Sequence, residues 1–381
     1  MMSQVRRTFS LLNQRACSWS WFRSSSSSRL LTDSGSTGLV LQSQSTDVYQ
    51  NLALEDWIDA NVDLQGCGVL LLWRNQPAVV IGRHQNPWTE CNLPAMRRAG
   101  ISLARRRSGG GTVFHDLGNL NLTFFASKKA YDRQRNLKVV TEALRRLCPG
   151  LDVQATDRFD IILNGCYKIS GTASRLSRKS SYHHCTLLHS ADRSALSSVL
   201  RPSCPGIQSN ATPSVPSPVA NLIDHAPSLQ WEELLDALVQ QYNREFGLRS
   251  SSTLIDPSDE SMFPGVGQME AELRSWDWIF GKTPKFSVET QLELTDQQTP
   301  AHRSAHLRME VKSGRIESCQ LDVPADWLPV QLSGELSGVL LGERFCPHRA
   351  AAAFSALLRS ESGESYKRLH HLCDAVLTAM G

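Results

Sequence analysis

The stretch Arg105-Arg106-Arg107-Ser108-Gly109-Gly110-Gly111-Thr112-Val113-Phe114 decides how the fold of this chain is interpreted. Three adjacent arginines place fixed positive charge beside three adjacent glycines, whose backbone can approach a ligand without interference from a Cβ atom. The apolar residues that follow predict a strand, so the glycine amides should lie at a strand edge and face phosphate or carbonyl oxygens. The pattern predicts an anion-binding loop; the alternative is a flexible turn with solvated arginines.

The composition is that of an ordinary globular protein. The chain has 381 residues, of which 41% are hydrophobic and 20% charged, and this length suits about two domains. The net charge is +3, but the first 32 residues contain five arginines and no Asp or Glu. The remainder is therefore slightly acidic, which gives no case for nucleic acid and favours a small anionic ligand for the arginine cluster.

The N-terminal segment, residues 1–32, is rich in arginine and serine, with Ser24 to Ser28 consecutive. This composition is typical of an organelle transit peptide. We predict mitochondrial targeting, to the matrix, and exclude the segment from the fold. The alternative is a disordered tail without a targeting role.

Neither the apolar runs nor the cysteines indicate a membrane or metal protein. No apolar run approaches the ~20 residues needed to cross a bilayer, so we expect no membrane span. The ten cysteines include no C-x-x-C pair, which supports neither a disulfide framework nor a zinc site. Three histidines between residues 182 and 189 lie on a predicted strand, but no acidic or cysteine partner completes a ligand set.

Apolar periodicity predicts alternating strands and helices. Predicted strands cover residues 38–41, 69–73, 78–82, 102–106, 120–125 and 182–189; predicted helices follow Asp47 and cover about 136–147 and 228–246. Asn75-Gln76-Pro77 suggests that the second and third strands form a hairpin. Residues 249–265 show little periodicity and are taken as a domain boundary.

A second informative stretch runs from Arg158 to Ala173. Asn164-Gly165 between two apolar runs is a strong signal for a type I′ hairpin, which places Lys168 on the returning strand. Gly171 is predicted in mid-strand, where glycine often marks the close approach of a ligand. Lys168 can hold an acyl phosphate oxygen as a point charge; the alternative is a solvated strand lysine.

Four segments together resemble the lipoate-protein ligase family, and its mitochondrial branch in particular. They are residues 51–57, residues 80–88, the glycine stretch with its continuation to Asn121, and residues 168–173. The resemblance covers nearly all of the chain from about residue 38. It implies an α+β fold of the biotin and lipoate protein ligase type, with mixed sheets flanked by helices. The implied organisation is a transit peptide at 1–32, a catalytic domain at 38–248 and a smaller α+β accessory domain at 266–381.

The resemblance also implies a site. Lys168 corresponds to the catalytic lysine, and Asp160 is expected only to orient the nearby Arg158. No metal and no permanently bound cofactor are implied, because lipoyl-AMP is a substrate. The residues implied to contact the lipoyl-adenylate are Arg106, Gly111, Thr112, Val113, Phe114, Arg158, Lys168, Thr186, Val215 and Ser217.

The implied reaction transfers a lipoyl group to a lysine of the lipoyl domains in 2-oxoacid dehydrogenase E2 subunits. The donor would be lipoyl-AMP or the lipoylated glycine-cleavage H-protein, and the enzyme is expected to be a monomer. Ligases that also activate lipoate tend to carry basic residues where this chain has Asn210, Pro213 and Pro216. Fewer cations for ATP phosphates imply inefficient activation.

Three alternatives remain open from the sequence. The first is a bifunctional, ATP-dependent lipoate-protein ligase. The second is an octanoyltransferase that forms a thioester on Cys185 or Cys166. The third is a carrier that binds lipoyl-AMP without promoting transfer.

Overall fold

The computed structural model describes residues 37–202, 204–296 and 299–381. The predicted transit peptide lies outside the described residues. Contacts divide the chain into two compact units, each discontinuous in sequence. Unit one contains the described residues up to Trp73, Leu120–His189 and Val219–Glu270; unit two contains Arg74–Asn119, Ser190–Pro218 and Ala271–Gly381.

The described part of the chain contains both helices and strands. In order they are β1 (Thr37–Ser43), α1 (Val48–Asn61), β2 (Cys67–Trp73), β3 (Ala78–Ile81), α2 (Pro87–Glu90), α3 (Leu93–Ala99), β4 (Ser102–Arg105), β5 (Val113–His115), β6 (Asn119–Ser127), α4 (Arg133–Leu147), β7 (Val153–Ala155), β8 (Ile161–Leu163), β9 (Tyr167–Ser170), β10 (Thr172–Leu176), β11 (Ser180–Leu188), α5 (Arg193–Val199), β12 (Ile207–Ser209), α6 (Trp231–Phe246), β13 (Ser252–Ile255), α7 (Val266–Arg274), α8 (Trp276–Ile279), β14 (Phe286–Asp296), β15 (Thr299–Lys312), β16 (Arg315–Asp322), α9 (Val330–Leu340), α10 (Pro347–Ser360) and α11 (Gly363–Ala379). The α+β class predicted from the sequence is confirmed.

Unit one is built on a mixed six-stranded sheet in the order β10-β11-β6-β2-β1-β13. Strand β1 is parallel to β2 and β13, whereas β6 is antiparallel to β2. Leu137, Val140 and Leu144 of α4 and Leu234 and Leu238 of α6 are buried in one apolar cluster with the strands. Each such side chain removed from water contributes about 1.5–3 kcal/mol, so these two helices supply much of the unit's stability.

Helix α1 begins where Asp47 caps it, as predicted: the carboxylate accepts from the amides of Tyr49 and Gln50. Satisfying these first-turn amides typically stabilises a helix by about 1 kcal/mol. Trp57 of this helix is buried. Its indole nitrogen donates to the Pro264 carbonyl at 2.9 Å, and its ring packs edge-on against Phe263.

Unit two combines a three-stranded sheet, β4-β3-β5, with a four-stranded sheet, β12-β14-β15-β16. One apolar cluster includes residues from both sheets. Trp88 lies within it, with ring centroids 5.2 to 5.3 Å from those of Phe280, Phe286 and Phe345. Aromatic pairs of this kind add about 0.5–1.5 kcal/mol each beyond area burial. This packing explains why residues 74–119 group with the C-terminal residues.

Several boundaries differ from the sequence-based expectations. The predicted hairpin through Asn75-Gln76-Pro77 is wrong, because β2 and β3 belong to different sheets. The stretch 249–265 is not only a linker: it contains β13, an edge strand parallel to β1. Three helices follow residue 329 among the described residues.

In the contact units, residues 74–119 and 190–218 group with residues 271–381. The domain bounds 38–248 and 266–381 stay a prediction. Among the described residues, no helix has both the length and the apolar composition to cross a membrane.

Arg105 is the most buried charged residue of unit two, with no exposed surface. Its guanidinium donates to the carbonyls of Gly82, Arg83, Gln85 and Ile279 at 2.8 to 3.3 Å. It also donates to the Thr283 hydroxyl at 2.9 Å, and the Arg105 carbonyl accepts from the Trp278 indole at 2.7 Å. Burial lowers the pKa of Arg105 to about 10, so the group is charged at neutral pH.

Replacing Arg105 with Ala should destabilise the protein by about 3–5 kcal/mol, because a set of buried carbonyls would lose its donor. Arg107→Ala is the matched control. Arg107 pairs with Glu272, whose side chain is 51% exposed, and stacks on Trp278, so its loss should cost about 1 kcal/mol or less. Chemical denaturation followed by tryptophan fluorescence measures both. Equal effects of the two substitutions would contradict the structural role of Arg105.

Candidate active site

The buried side chain of Arg106 holds the glycine loop, residues 108–112, by hydrogen bonds. Its side chain is 4% exposed. The guanidinium donates to the Ser108 hydroxyl at 2.9 Å, to the Val80 carbonyl at 3.0 Å, and to the carbonyls of Gly109 and Gly111 at 2.7 Å each. These bonds turn the loop carbonyls toward the guanidinium. The prediction that Arg106 contacts a ligand stays a prediction; the structure gives it a scaffolding role.

The loop lies against the end of β3 without room for a side chain. A Cβ atom at Gly82 would stand 2.1 Å from the Gly110 carbonyl oxygen, and Gly110 itself has φ of 86°. Position 82 requires glycine because a side chain would not fit, and position 110 favours glycine because its φ is positive. Among the described residues, the amide groups of Gly109, Gly110 and Gly111 make no hydrogen bond as donors. They are therefore available to an anion.

The outer side of the glycine loop contacts the segment 212–217. The Ser214 hydroxyl accepts from the Thr112 amide at 2.8 Å. The Thr112 hydroxyl lies 2.9 Å from Gln85 Oε1 and 3.0 Å from the Glu90 carboxylate, and these two acceptors share its single hydrogen. Two predicted site residues of this segment, Val215 and Ser217, have exposed side chains. Phe114, by contrast, is 3% exposed and packs in the core of unit two.

Lys168 lies on the returning strand of a hairpin, as predicted. Asn164 and Gly165 have φ of 51° and 72°, the positive pair that a type I′ turn requires, and β8 pairs with β9. The Lys168 ammonium lies 2.9 Å from a carboxylate oxygen of Asp160, and the lysine side chain is 26% exposed. Asp160 thus orients Lys168, a pairing that the sequence analysis did not assign.

Gly171 separates two strands, so the prediction that it lies in mid-strand is wrong. It follows β9, which belongs to the β7-β8-β9 sheet, and precedes β10 of the six-stranded sheet. Its amide donates to the Thr186 hydroxyl at 3.1 Å. A Cβ atom there would stand 3.1 Å from Lys168 Cε. The missing side chain at Gly171 leaves space for the Lys168 side chain, and both Lys168 and Thr186 lie next to Gly171.

The predicted site residues therefore fall into two sets, described separately for each unit. In unit one, Lys168 and Thr186 meet around Gly171, and the exposed Arg158 precedes the Phe159-Asp160 corner. Within the described residues Arg158 makes no hydrogen bond or ion pair. Unit two holds Arg106, Gly111, Thr112, Val113, Phe114, Val215 and Ser217.

The three histidines between residues 182 and 189 have protein partners. Burial lowers the pKa of His183 to about 3, which keeps it neutral, and His184 lies 2.9 Å from the buried Glu55 carboxylate. His189 bonds the Leu229 carbonyl. No group of three candidate ligands occurs in the part of the chain that the structure describes. The pairing of Glu55 with His184, 129 positions apart, had no local signal in the sequence.

Comparisons with known proteins identify the family of this chain. The family model of the lipoyl protein ligase A/B catalytic domain matches residues 47–243. The mitochondrial lipoyl amidotransferase LIPT1 of Homo sapiens is 51% identical over 323 residues, covering 85% of this chain and 86% of its own. The Mus musculus LIPT1 is 50% identical over 335 residues, covering 88% of each chain.

A solved structure shares the fold. The crystal structure of P. falciparum LipL1 in complex with lipoate superposes with a TM-score of 0.58 at 24% identity, covering 89% of this chain and 99% of that chain. This likeness confirms the predicted ligase-like fold. On the family model and the extent of identity to the two mammalian proteins, the chain belongs to the lipoate-protein ligase family and is an acyltransferase of that family.

Proposed function

We propose that this enzyme transfers a lipoyl group to a specific lysine of the lipoyl domains in 2-oxoacid dehydrogenase E2 subunits. The donor is lipoyl-AMP or the lipoylated glycine-cleavage H-protein, and the enzyme acts as a monomer. Both mammalian relatives are named as lipoyl amidotransferases and as mitochondrial, which supports a lipoyl-transferring enzyme of the mitochondrion. The matrix is our proposal for the compartment.

The observation that carries the proposal is the Lys168 ammonium, held by Asp160 beside Gly171 and Thr186. The acceptor lysine supplies the nucleophile, so this chain needs no covalent nucleophile of its own. The neutral amine of the acceptor lysine attacks the acyl carbon, and negative charge develops on the carbonyl oxygen. The bond to the leaving group then breaks, the leaving group keeps the bonding electrons, and the attacking nitrogen loses one proton to the departing amine of a lipoylated protein donor or, with lipoyl-AMP, to solvent. A fixed cation offsets charge in that transition state without having to reorganise. Orienting the amine near the acyl carbon supplies the remaining acceleration.

The glycine loop suits the anionic side of the donor. The three glycine amides are available as donors, as described above, and the buried Arg106 fixes the carbonyls on the opposite side. Consecutive amides in such a loop form a concave anion-binding surface. We propose that, within unit two, the residues from Gly111 to Phe114 bind the lipoyl-adenylate together with Val215 and Ser217. The sequence resemblance separately assigns Arg158 and Thr186 of unit one to lipoyl-adenylate binding.

The absence of basic residues in the segment 209–218 supports a transferase that activates lipoate poorly. This segment contains Asn210, Pro213 and Pro216 and no Lys or Arg. A triphosphate carries more charge than an adenylate and normally requires several cations or charge-assisted donors. The chemistry of the segment therefore favours a preformed adenylate or a lipoylated protein as donor.

The cysteine-dependent alternative is weakened by burial. Cys185 is 3% exposed, and burial raises the pKa of its thiol to about 12. A thiolate is the reactive form, so Cys185 is a poor nucleophile at neutral pH. Cys166 lies exposed in the turn between β8 and β9, and a Cys166→Ser variant that keeps full transfer excludes it.

The proposed function is tested by mass spectrometry of a purified acceptor lipoyl domain. Incubation with this enzyme and synthetic lipoyl-AMP, or with lipoylated H-protein, should add one lipoyl group to one lysine of the acceptor. An acceptor that remains unmodified with both donors would contradict the proposal. An acylated enzyme intermediate in the same spectra would instead support the thioester alternative.

Lys168→Ala should lower transfer by about 10²- to 10³-fold, because the fixed cation is lost. Asp160→Asn should lower it by about tenfold, since the lysine keeps its charge but loses its orientation. Lys179→Ala, at an exposed lysine in the turn before β11, is the matched control. The measurement is kcat/KM with lipoyl-AMP at constant acceptor. If Lys168→Ala transfers at the control rate while folding normally, Lys168 is not the catalytic residue.

The enzyme should release little pyrophosphate from ATP and free lipoate, while synthetic lipoyl-AMP restores transfer. The reason is the uncharged segment at 209–218. A coupled pyrophosphate assay with Mg²⁺ and saturating lipoate measures this step directly. Turnover with ATP at the rate seen with lipoyl-AMP would identify the enzyme as a bifunctional ligase.

A further inference from the structure

Ser214 connects the exposed segment 212–217 to the glycine loop. Its hydroxyl accepts from the Thr112 amide at 2.8 Å and from Gln85 Nε2 at 3.0 Å, and it donates to the Glu90 carboxylate. The Ser214 amide donates to the same carboxylate at 3.3 Å. One small side chain thus makes three hydrogen bonds to residues from the strand end, the short helix α2 and the loop.

Gln85 and Glu90 anchor this serine from below. Gln85 has no exposed surface. Its side-chain oxygen Oε1 accepts from the Gly82 amide at 2.8 Å, and its side-chain nitrogen Nε2 also donates to the Thr212 carbonyl at 3.2 Å. Glu90 ends α2 and accepts from the Thr112 hydroxyl as well. The strand end and α2 therefore form a fixed base to which both the loop and the segment attach.

The rest of the segment has few attachments of its own. Thr212, Val215 and Ser217 are exposed, and the two prolines at 213 and 216 have no amide hydrogen to donate. Among the described residues, the hydrogen bonds that fix 212–217 are those of Ser214 and of the Thr212 backbone. Without Ser214, the segment would keep only the Thr212 contacts.

We propose that Ser214, held by Glu90 and Gln85, is a positioning residue that keeps the segment 212–217 in its adenylate-binding conformation. This inference rests on the proposed function, because it concerns the residues that enclose the adenylate. Ser214 acts through Val215, Ser217 and Thr112 and contacts no reacting atom. A ligand that meets a preordered segment does not have to order it during binding. Removing the serine hydroxyl therefore weakens donor binding and leaves the chemical step intact.

The test compares Ser214→Ala with Ser214→Thr, which retains the hydroxyl, and with Ser197→Ala. Ser197 is an exposed serine of α5 in the same unit that bonds only its own helix carbonyl, so it is a matched control for hydroxyl loss. The first readout is hydrogen exchange in full-length enzyme, at the amides of Thr112 and Ser214. The second is the dissociation constant of a nonhydrolysable sulfamoyl analogue of lipoyl-AMP.

Ser214→Ala should speed exchange at both amides and weaken analogue binding by about tenfold, the effect of losing one to two net hydrogen bonds. KM for lipoyl-AMP should rise by a similar factor while kcat changes little. Ser214→Thr should restore both readouts, and Ser197→Ala should leave both unchanged. Exchange in β3 and α2 reports whether the Ala variant is folded.

Two results would overturn the inference. Unchanged exchange at Thr112 and Ser214 would show that the hydroxyl does not hold the segment. Faster exchange with unchanged analogue binding would show that the segment is held but does not position the donor. Both differ from failure of the proposed function, in which the wild-type enzyme itself neither binds the analogue nor modifies an acceptor.

Discussion

The buried guanidinium of Arg105 is the constraint on which unit two depends. Four carbonyls and one hydroxyl converge on it, from the end of β3 and from the region of α8. A buried charge of this kind is tolerated only when its donors are satisfied. The backbone at Gly82 and Gln85 must therefore keep one conformation. That conformation in turn fixes the base on which the glycine loop and Ser214 rest.

Three adjacent arginines have three different environments, and sequence alone could not assign them. Arg105 is fully buried, Arg106 holds the loop carbonyls, and Arg107 pairs with Glu272 near the surface. Only Arg105 lies on β4, and the alternation of side chains along a strand does not say which face is buried. The deciding partners, Ile279 and Glu272, lie more than 160 positions away in sequence.

Local sequence signals predicted most helices, strands and turns, whereas the pairing of strands into sheets depends on long-range packing that such signals do not contain. The Asp47 cap and the Asn164-Gly165 turn were confirmed because each depends on a few adjacent residues. The false hairpin at 75–77 arose because two apolar strands in succession do not reveal whether they share a sheet. Strand β13 was missed for a related reason: it is a four-residue edge strand with one buried side chain, so its sequence lacks a clear apolar period.

The same argument applies to the site. The positions of Lys168 and the glycine loop were predictable because both belong to dense local motifs. Asp160, Glu90 and Ser214 were not assigned to their partners, since ordinary polar residues acquire a role only through those partners. Arg106 shows how a scaffolding residue can still affect an anion. A buried guanidinium is little screened by solvent or salt, so its charge raises the potential at the loop amides without direct contact. Its bond to the Gly109 carbonyl also polarises the peptide group that carries the Gly110 amide, one of the amides that would face the ligand. The cation therefore favours an anion both as a charge and as the organiser of the donors that bind it.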